Sequence, residues 1–157
     1  MATLPSAAEQ VRHAYARWHE SRGATADLFL DMMAPDIEMY TVMAPDTPSP
    51  IAGANVGIDA ARVYFDALAQ DWEMIGFPTE QVVGDGDTVV WIGSCHWRYR
   101  PSGEEVETPK VDIWRFRDGK AVRLLEMFDS LAFARTTGLI LDPATPAVAP
   151  APQPASS

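Results

Sequence analysis

The chain has 157 residues, of which 47% are apolar, and this is enough for one domain with a sizeable core. Its formal net charge is −10 and its basic residues are scattered along the sequence, which argues against binding to nucleic acid or to an anionic membrane surface. The only cysteine, Cys95, excludes an intramolecular disulfide, and no Cys/His cluster has the spacing of a zinc site, so we predict neither a metal nor another cofactor.

The start of the chain and its hydropathy predict the compartment. Residues 1–5 lack the basic region and apolar run of a signal peptide. No apolar segment approaches the roughly 20 residues that cross a bilayer. We therefore expect a soluble, cytoplasmic protein.

Three amphipathic segments predict helices in the first half of the chain. Ser6 and Glu9 form a capping-box pattern ahead of apolar residues at helical spacing, which places the first helix at about 6–21. A second, shorter helix ends at Pro35, and a third covers about 58–71.

Most of the remaining chain is predicted as strands. A short strand over 37–42 precedes an irregular loop over 43–57. Long strands follow over 88–99, 105–117 and 121–128. The final short helix ends at Gly138, and the Pro/Ala-rich residues 139–157 are predicted to be a disordered tail beside one domain over 1–138. This order of elements predicts an α+β fold in which one twisted antiparallel sheet has helices packed on a single face.

The strand that contains Asp112 carries the most informative pattern. Because strand side chains alternate between the two faces of a sheet, Asp112 shares a face with Lys110, Trp114 and Phe116. A carboxylate among aromatic side chains is costly to bury unless it is paired or used in chemistry. Asp112 is therefore a candidate acid/base group, and the structural alternative is a fixed ion pair with Lys110 or Arg123.

Tight turns predict which residues face one another across the sheet. A two-residue turn at Asp118-Gly119 pairs Asp112 with Leu125, and one at Ser102-Gly103 places Asp112 opposite Gly93. Because glycine has no side chain, helices covering this face would leave a cavity opposite Asp112. The predicted cavity face includes Trp91, Gly93, Cys95, Lys110, Asp112, Trp114, Leu125 and Met127.

The opposite face of the predicted sheet is also apolar in its middle, and no predicted helix is left to cover it. Such a face predicts an interface between two copies of the chain, so we expect a homodimer. The residues predicted to lie on this outer face include Val90, Ile92, His96, Val111, Ile113, Leu124 and Phe128.

Three stretches carry a resemblance to a known family: Val82-Val83-Gly84-Asp85-Gly86-Asp87, the strand and turn from Val111 to Lys120, and Glu126-Met127-Phe128-Asp129. In these stretches the sequence resembles the SnoaL-like proteins of the nuclear transport factor two-like superfamily. The resemblance implies a conical α+β barrel: one curved antiparallel sheet with about three helices packed on its concave face, around a deep pocket.

The resemblance also suggests roles for individual residues. Asp112 falls where the family's cyclases carry an acid/base carboxylate, and where the related ketosteroid isomerases hold a protonated acid that stabilises an enolate. Tyr15 lies near the position of the isomerases' other oxyanion donor. The proton-shuttling carboxylate of those isomerases aligns with Met39, so that base is not carried over to this chain.

We predict a cofactor-independent acid/base enzyme, a lyase, cyclase or isomerase, that acts on a hydrophobic, aromatic or polycyclic, oxygenated small molecule. Asp112 moves the proton, and Tyr15 and Lys110 stabilise the developing negative charge. The alternatives are a non-catalytic small-ligand-binding or dimerisation module and, third, an epoxide hydrolase. The residues expected to bind substrate are Trp18, Met39, Tyr40, Trp91, Gly93, Cys95, Trp114 and Met127.

Overall fold

The computed structural model describes residues 3–140, and within them four helices pack against one curved sheet of seven strands. The helices are α1 (Ala7–Glu20), α2 (Ala26–Met32), α3 (Ile58–Asp71) and α4 (Ser130–Thr136). The strands are β1 (Met33–Thr41), β2 (Ala54–Val56), β3 (Trp72–Gly76), β4 (Thr79–Asp85), β5 (Thr88–Tyr99), β6 (Glu105–Arg117) and β7 (Lys120–Phe128).

Local sequence signals account for the helices. At the start of α1, Ser6 and Glu9 close the predicted capping box: the Ser6 amide donates to the Glu9 carboxylate at 2.7 Å, and the Glu9 amide donates to the Ser6 hydroxyl at 3.2 Å. Each bond satisfies a donor that the first helical turn leaves without a partner. The predicted span of α3 matches the structure, but Trp72, at helical spacing from Leu68, begins β3 instead of extending the helix.

The sheet is mixed, which corrects the prediction of a purely antiparallel one. Its strand order is β2-β1-β7-β6-β5-β3, with β4 also paired to β5, and β1 runs parallel to β7. Because β1 and β7 are joined by most of the domain and not by a hairpin, no tight turn forces them to be antiparallel. The two ends of this order do not pair, so the described residues form a curved, open sheet.

The connection between β5 and β6 is longer than predicted. Arg98 pairs with Glu105, and the Tyr99 amide donates to the Glu104 carbonyl at 2.8 Å, which leaves a four-residue loop instead of a two-residue turn at Ser102-Gly103. Pro101 explains the difference, because it has no N–H to donate to a tighter hairpin. The register moves by two residues, so the side chains keep their predicted faces.

As a result, the partner of Asp112 on β5 differs from the predicted one. Trp91 lies opposite Asp112, whereas Gly93 lies opposite Lys110.

A β-bulge overturns the predicted pairing of β6 with β7. The turn at Asp118-Gly119 is tight as predicted, with positive φ at both residues. The register then shifts between Arg115 and Phe116. A bulge inserts one extra residue in one strand, and a shift of one residue exchanges the two faces of that strand.

The shift turns β7 over beyond the bulge. Asp112 faces Glu126, not Leu125. Leu124 and Glu126 are buried on the concave side, which corrects the prediction that Leu124 lies outside. Met127 points outward and is 41% exposed, so its assignment to the cavity face was wrong. Phe128, also predicted outside, lines the concave side.

Two further predictions concern membrane helices and the C-terminal tail. None of the helices within residues 3–140 is long and apolar enough to cross a membrane. The predicted tail over 139–157 lies outside the described residues except for Leu139 and Ile140.

Candidate active site

A buried ionic cluster lies at the centre of the concave face. The Lys110 ammonium donates to Asp112 Oδ1 at 2.7 Å and to Glu126 Oε2 at 2.7 Å. The three side chains are only 5%, 3% and 10% exposed. Lys110 and Asp112 are two residues apart on β6, and the bulged register of β7 brings Glu126 opposite Asp112. The structure therefore contains the ion pair of Asp112 with Lys110, together with a second carboxylate that the sequence reasoning did not assign.

A tyrosine from α1 completes the cluster on its other side. The Tyr15 hydroxyl donates to Asp112 Oδ2, and its oxygen accepts a hydrogen bond from Trp114 Nε1 at 3.0 Å. The Tyr15 ring stacks on Trp91, with 4.3 Å between ring centroids and 11° between planes. Stacking and the Trp114 bond hold the hydroxyl in place, so both Asp112 oxygens accept a hydrogen bond.

A second tyrosine, Tyr64 of α3, lies beside Glu126. Burial, and then the negative charge of Glu126, raise the pKa of Tyr64 well above its ordinary value. Burial and the neighbouring Asp112 carboxylate act in the same way on the pKa of Tyr15. Both phenols therefore stay protonated at neutral pH, and each can donate a hydrogen bond.

The charge balance of the cluster raises the pKa of Asp112. Two carboxylates and one ammonium leave one unbalanced negative charge in a site with little water, and this is costly. Burial is the largest influence on Asp112; Lys110 opposes it and Glu126 adds to it, and the pKa rises from 3.8 to about 6. Burial lowers the pKa of Lys110, but Asp112 and Glu126 outweigh it and hold the pKa above its ordinary value. Lys110 therefore remains a cation while Asp112 titrates near neutral pH.

The cluster lines a small cavity. Its volume is about 50 Å³, roughly what one or two water molecules occupy. Typical pockets for drug-sized ligands have about 300–1,000 Å³. Aromatic side chains fill most of the concave face, so a bicyclic or larger substrate enters only if wall side chains move. The aromatic residues that line the cavity are Tyr15, Trp18, Phe29, Tyr64, Phe65, Phe77, Trp97, Trp114, Phe128 and Phe133.

A larger cleft lies on the outer side of the same wall. It has a volume of about 370 Å³, and Trp18, Leu68 and Trp97 line both the cleft and the cavity. These three side chains form the partition between the two spaces, so their movement would connect the cavity with the cleft. The arginines Arg22 and Arg100 lie in the outer cleft.

Several predicted substrate-binding residues lie in the cavity wall. Trp18, Cys95 and Trp114 line the cavity together with the three predicted catalytic residues. Burial raises the pKa of the Cys95 thiol to about 11, so it acts as a packing residue and not as a nucleophile. Trp91 is fully buried against Tyr15, one layer behind the cavity.

Gly93 serves close packing and not an opening beside Asp112. A Cβ atom at Gly93 would clash with the Pro78 carbonyl oxygen and lie 2.6 Å from the Trp91 ring. The space above this glycine is therefore occupied by backbone and by an aromatic ring. The prediction that the missing side chain creates the cavity was wrong.

Other predicted binding residues lie away from the cavity. Met39 is buried in the core but does not line the cavity. Tyr40 interacts with Glu38, its hydroxyl donating at 3.3 Å, and with Arg123, whose guanidinium lies 5.0 Å from the ring centroid. Arg123 thus lies over Tyr40 and does not pair with Asp112. Met127, turned outward by the bulge, does not reach the cavity either.

Sequence reasoning missed Glu126 and Tyr64. Glu126 belongs to one of the family-like stretches, but the predicted register places it on the outer face. The signal that could have found it is the alternation of β7 itself, in which Leu124, Glu126 and Phe128 share one face. No pattern in α3 distinguishes Tyr64 from its apolar neighbours, because its relation to Glu126 exists only once helix and sheet pack together.

Comparison with known proteins assigns the chain to a family. A family model described as a SnoaL-like domain matches residues 11–124. No curated protein matches the sequence significantly.

Solved structures share this fold at low sequence identity. An NTF2-like protein from Burkholderia thailandensis is 25% identical, with a TM-score of 0.70, over 85% of this chain and 98% of the other. A candidate SnoaL-like polyketide cyclase from Mesorhizobium loti is 19% identical, with a TM-score of 0.65, over 78% and 98%.

A candidate isomerase from Rhodopseudomonas palustris is 14% identical, with a TM-score of 0.69, over 88% of this chain and 100% of the other. At such identities these structures support the fold alone. Because the family model covers well over half of the 157 residues, the chain belongs to the family of SnoaL-like domains.

Proposed function

We propose that this protein is a cofactor-independent acid/base enzyme, a lyase, cyclase or isomerase, acting on a hydrophobic small molecule that carries a carbonyl oxygen. One observation supports the proposal above all others: Asp112 is a buried carboxyl in a cavity wall, and its pKa of about 6 lies near neutral pH. A general acid or base works best when its pKa is close to the operating pH. An aspartate kept only for an ion pair has a lowered pKa instead.

The proposed step is removal of a proton from the carbon next to the carbonyl group. The C–H bond breaks, the proton passes to the Asp112 carboxylate, and the electron pair forms a C=C bond while the carbonyl oxygen becomes an enolate. The Lys110 ammonium, held at 2.7 Å from Asp112, supplies positive charge next to the developing oxyanion. Charge stabilisation of this kind in a dry site is commonly the largest contribution to catalysis.

Tyr15 can change partners during this step. In the resting site its hydroxyl donates to Asp112 Oδ2. When Asp112 takes up a proton it becomes a donor itself, and the Tyr15 O–H is free to turn to the enolate oxygen. Because Trp114 Nε1 still donates to the Tyr15 oxygen at 3.0 Å, the phenol keeps its position while its proton changes direction.

The cavity wall accounts for the proposed apolar part of the substrate. Apart from the polar residues of the cluster, the wall is almost entirely aromatic or aliphatic, and an apolar group gains roughly 25 cal/mol per Å² on leaving water. The volume of about 50 Å³ favours a compact substrate, with one aromatic ring entering as the partition of Trp18, Leu68 and Trp97 moves.

A second candidate function is epoxide hydrolysis, which Glu126 favours. Opening an epoxide with water needs a base for the water and an acid for the ring oxygen. The two carboxyls on either side of Lys110 can fill those roles, and the cavity has room for one water molecule. The sequence alone favours this candidate less, because it predicts only Asp112 and Lys110 as polar groups on this face.

Exchange of hydrogen for deuterium at the methyl group of acetophenone tests the main proposal. Proton NMR in deuterium oxide follows the loss of the methyl signal, which needs a base and an oxyanion donor but no further chemistry. We expect protein-dependent exchange that falls by about 100-fold or more in Asp112→Asn, the usual range for losing a general base. Asp66→Asn is the matched control, because Asp66 is exposed on α3.

Two outcomes would overturn the proposal. One is exchange by the wild-type protein no faster than in buffer, which the non-catalytic alternative predicts. The other is equal exchange by the wild-type protein and Asp112→Asn. Turnover of styrene oxide to its diol without any acetophenone exchange would instead favour the epoxide hydrolase.

A further inference from the structure

The outer cleft has the volume of a ligand site, whereas the cavity does not. The cleft holds about 370 Å³, within the roughly 300–1,000 Å³ of typical small-molecule sites, and the cavity holds about 50 Å³. Three tryptophans line the cleft, Trp18, Trp72 and Trp97, and each is at most 5% exposed. They form an apolar floor, and Trp18 and Trp97 separate this floor from the cavity of the ionic cluster.

Two arginines give the rim of the cleft a positive charge. Arg22 follows α1 and Arg100 follows β5, and both line the cleft and are exposed. None of the ion pairs within residues 3–140 includes either guanidinium. Glu73, an acidic residue of the same lining, is already paired with Arg98 at 3.1 Å. Both guanidinium groups are therefore available to a bound anion, in a protein whose formal net charge is −10.

The backbone at Arg22 holds its side chain in place at a conformational cost. Arg22 has a φ of +53°, in the left-handed region that glycine and asparagine adopt more easily. Arg22 Nη1 donates to the His19 carbonyl at 2.6 Å and contacts His19 Nδ1 at 3.2 Å, which fixes the group beside the end of α1. The Nε and Nη2 hydrogens are left for another partner. Residues held in this backbone region are concentrated at ligand sites.

We propose that the outer cleft binds the carboxylate of an aromatic acid, and that this carboxylate is the charged end of the substrate. The planar guanidinium group matches the two oxygens of a carboxylate. A doubly charged phosphate is disfavoured by Glu73 in the lining and by the net charge of −10. The binding site itself is independent of the proposed function, whereas its assignment to the substrate rests on that function.

The partition then connects recognition with chemistry. The ring of the bound acid lies on Trp18, Leu68 and Trp97, and the same side chains line the cavity. When the partition moves, the ring can enter the cavity, but the carboxylate stays at the rim. A further negative charge beside Asp112 and Glu126 would be costly in a buried site. The arginines therefore orient the molecule with its apolar end toward the cluster.

Fluorine NMR titration with 4-(trifluoromethyl)benzoate measures binding to the cleft, and the uncharged 4-(trifluoromethyl)benzamide is the matched ligand. We expect the acid to bind more tightly than the amide. Arg22→Gln and Arg100→Gln should each weaken binding of the acid about 3- to 5-fold, the upper range for an exposed ion pair, and leave binding of the amide unchanged. Arg62→Gln is the control, because Arg62 is exposed on α3 and does not line the cleft.

Charge changes at Ala69 make the test independent of Arg22, whose replacement also removes a hydrogen bond at the end of α1. Ala69 is exposed on α3 and lines the cleft. Ala69→Glu should weaken binding of the acid and Ala69→Lys should strengthen it. Gln70→Glu makes the same charge change at the next exposed position, outside the lining, and should have little effect.

Three outcomes of the titrations would overturn the proposed site. One is equal affinity for the acid and the amide. Another is the same response to Ala69→Glu and Gln70→Glu, which would place the anion elsewhere. The third is tighter binding of phenyl phosphate than of the acid, which would overturn the carboxylate as the ligand.

Inhibition of acetophenone exchange tests the assignment to the substrate. The acid should inhibit competitively, with an inhibition constant equal to its dissociation constant, because both molecules use the same partition. Binding without inhibition would overturn the assignment. If the acid binds but the wild-type protein does not exchange acetophenone, the proposed function fails together with the assignment, and the binding site stands. If exchange occurs but the acid does not bind, only the inference fails, so the two failures can be told apart.

Discussion

Replacing Asp112 with asparagine should remove a pH-dependent cost of folding. In the folded protein the pKa of Asp112 is about 6, above its ordinary value of 3.8, with burial as the main cause. Between these two values the folded state binds more protons at this site than the unfolded state does. The contribution of Asp112 to stability therefore falls as pH rises from about 4 to about 6, and it stays low above that.

The size of the effect follows from the shift. A difference of about two pKa units at about 1.4 kcal/mol per unit corresponds to about 3 kcal/mol in total. About 2 kcal/mol of this should develop between roughly pH 4.5 and roughly pH 7.5. Losing the hydrogen bond to Lys110 adds a cost to Asp112→Asn, but that cost does not vary with pH because Lys110 remains charged throughout.

Urea unfolding of the wild-type protein and of Asp112→Asn, measured side by side across this pH range, gives the required quantity. The difference between the two free energies of unfolding cancels every titrating group except Asp112 and those coupled to it. We expect the asparagine variant to gain about 2 kcal/mol relative to the wild-type protein over the range. Asp66→Asn, an exposed replacement on α3, should show a flat difference.

A flat difference for Asp112→Asn would contradict the raised pKa, since the carboxyl would then have the same pKa in the folded and unfolded states. A gain in stability of the wild-type protein over the variant as pH rises would contradict it as well, because this is the behaviour of a carboxylate held mainly by its ion pair. Constant m-values confirm that both proteins unfold in two states over the range.

Three further predictions concern other parts of the molecule. Leu68 lies in the partition between the cavity and the outer cleft of about 370 Å³. Leu68→Ala should lower the free energy of unfolding in urea by about 2–5 kcal/mol and speed acetophenone exchange. Slower exchange would contradict the proposed entry route. Cys95, with its pKa at about 11, should be about 0.1% thiolate at pH 8. Its thiol should therefore react with Ellman's reagent only in urea. Rapid labelling of the folded protein would refute its assignment as a packing residue. Ile113→Lys, on the outer face of β6, should convert the expected homodimer to a monomer in light scattering, whereas a wild-type monomer would exclude that interface.

The helices and the tight turn at Asp118-Gly119 could be predicted because their signals are local. Ser6 and Glu9 lie within one helical turn of each other, so the capping box that starts α1 depends only on residues close together in the sequence. The turn at Asp118-Gly119 likewise depends on two residues that tolerate positive φ. Such local signals do not predict the direction of β1 relative to β7, because packing between distant segments sets that direction.

The candidate site was predictable only in part, for the same reason. Lys110 and Asp112 share a face of one strand, and Tyr15 was assigned through the family resemblance. Glu126 reaches the cluster only because the pairing shifts between β6 and β7, and this shift depends on contacts between the two strands and not on a local motif. Gly93 lies on the predicted face of the sheet. It does not open a cavity there, because Pro78 and Trp91 occupy the space above it.

The sequence by itself therefore determined the family, the order of most elements and the position of Asp112 on an aromatic strand face. Only the tertiary structure decided what surrounds that carboxyl. Strand alternation has a period of two residues, so a single inserted residue turned Met127 outward and brought Glu126 to Lys110. Aromatic packing from α1, α2 and α3 then reduced the expected deep pocket to a cavity of about 50 Å³, because its volume depends on how side chains from separate elements meet.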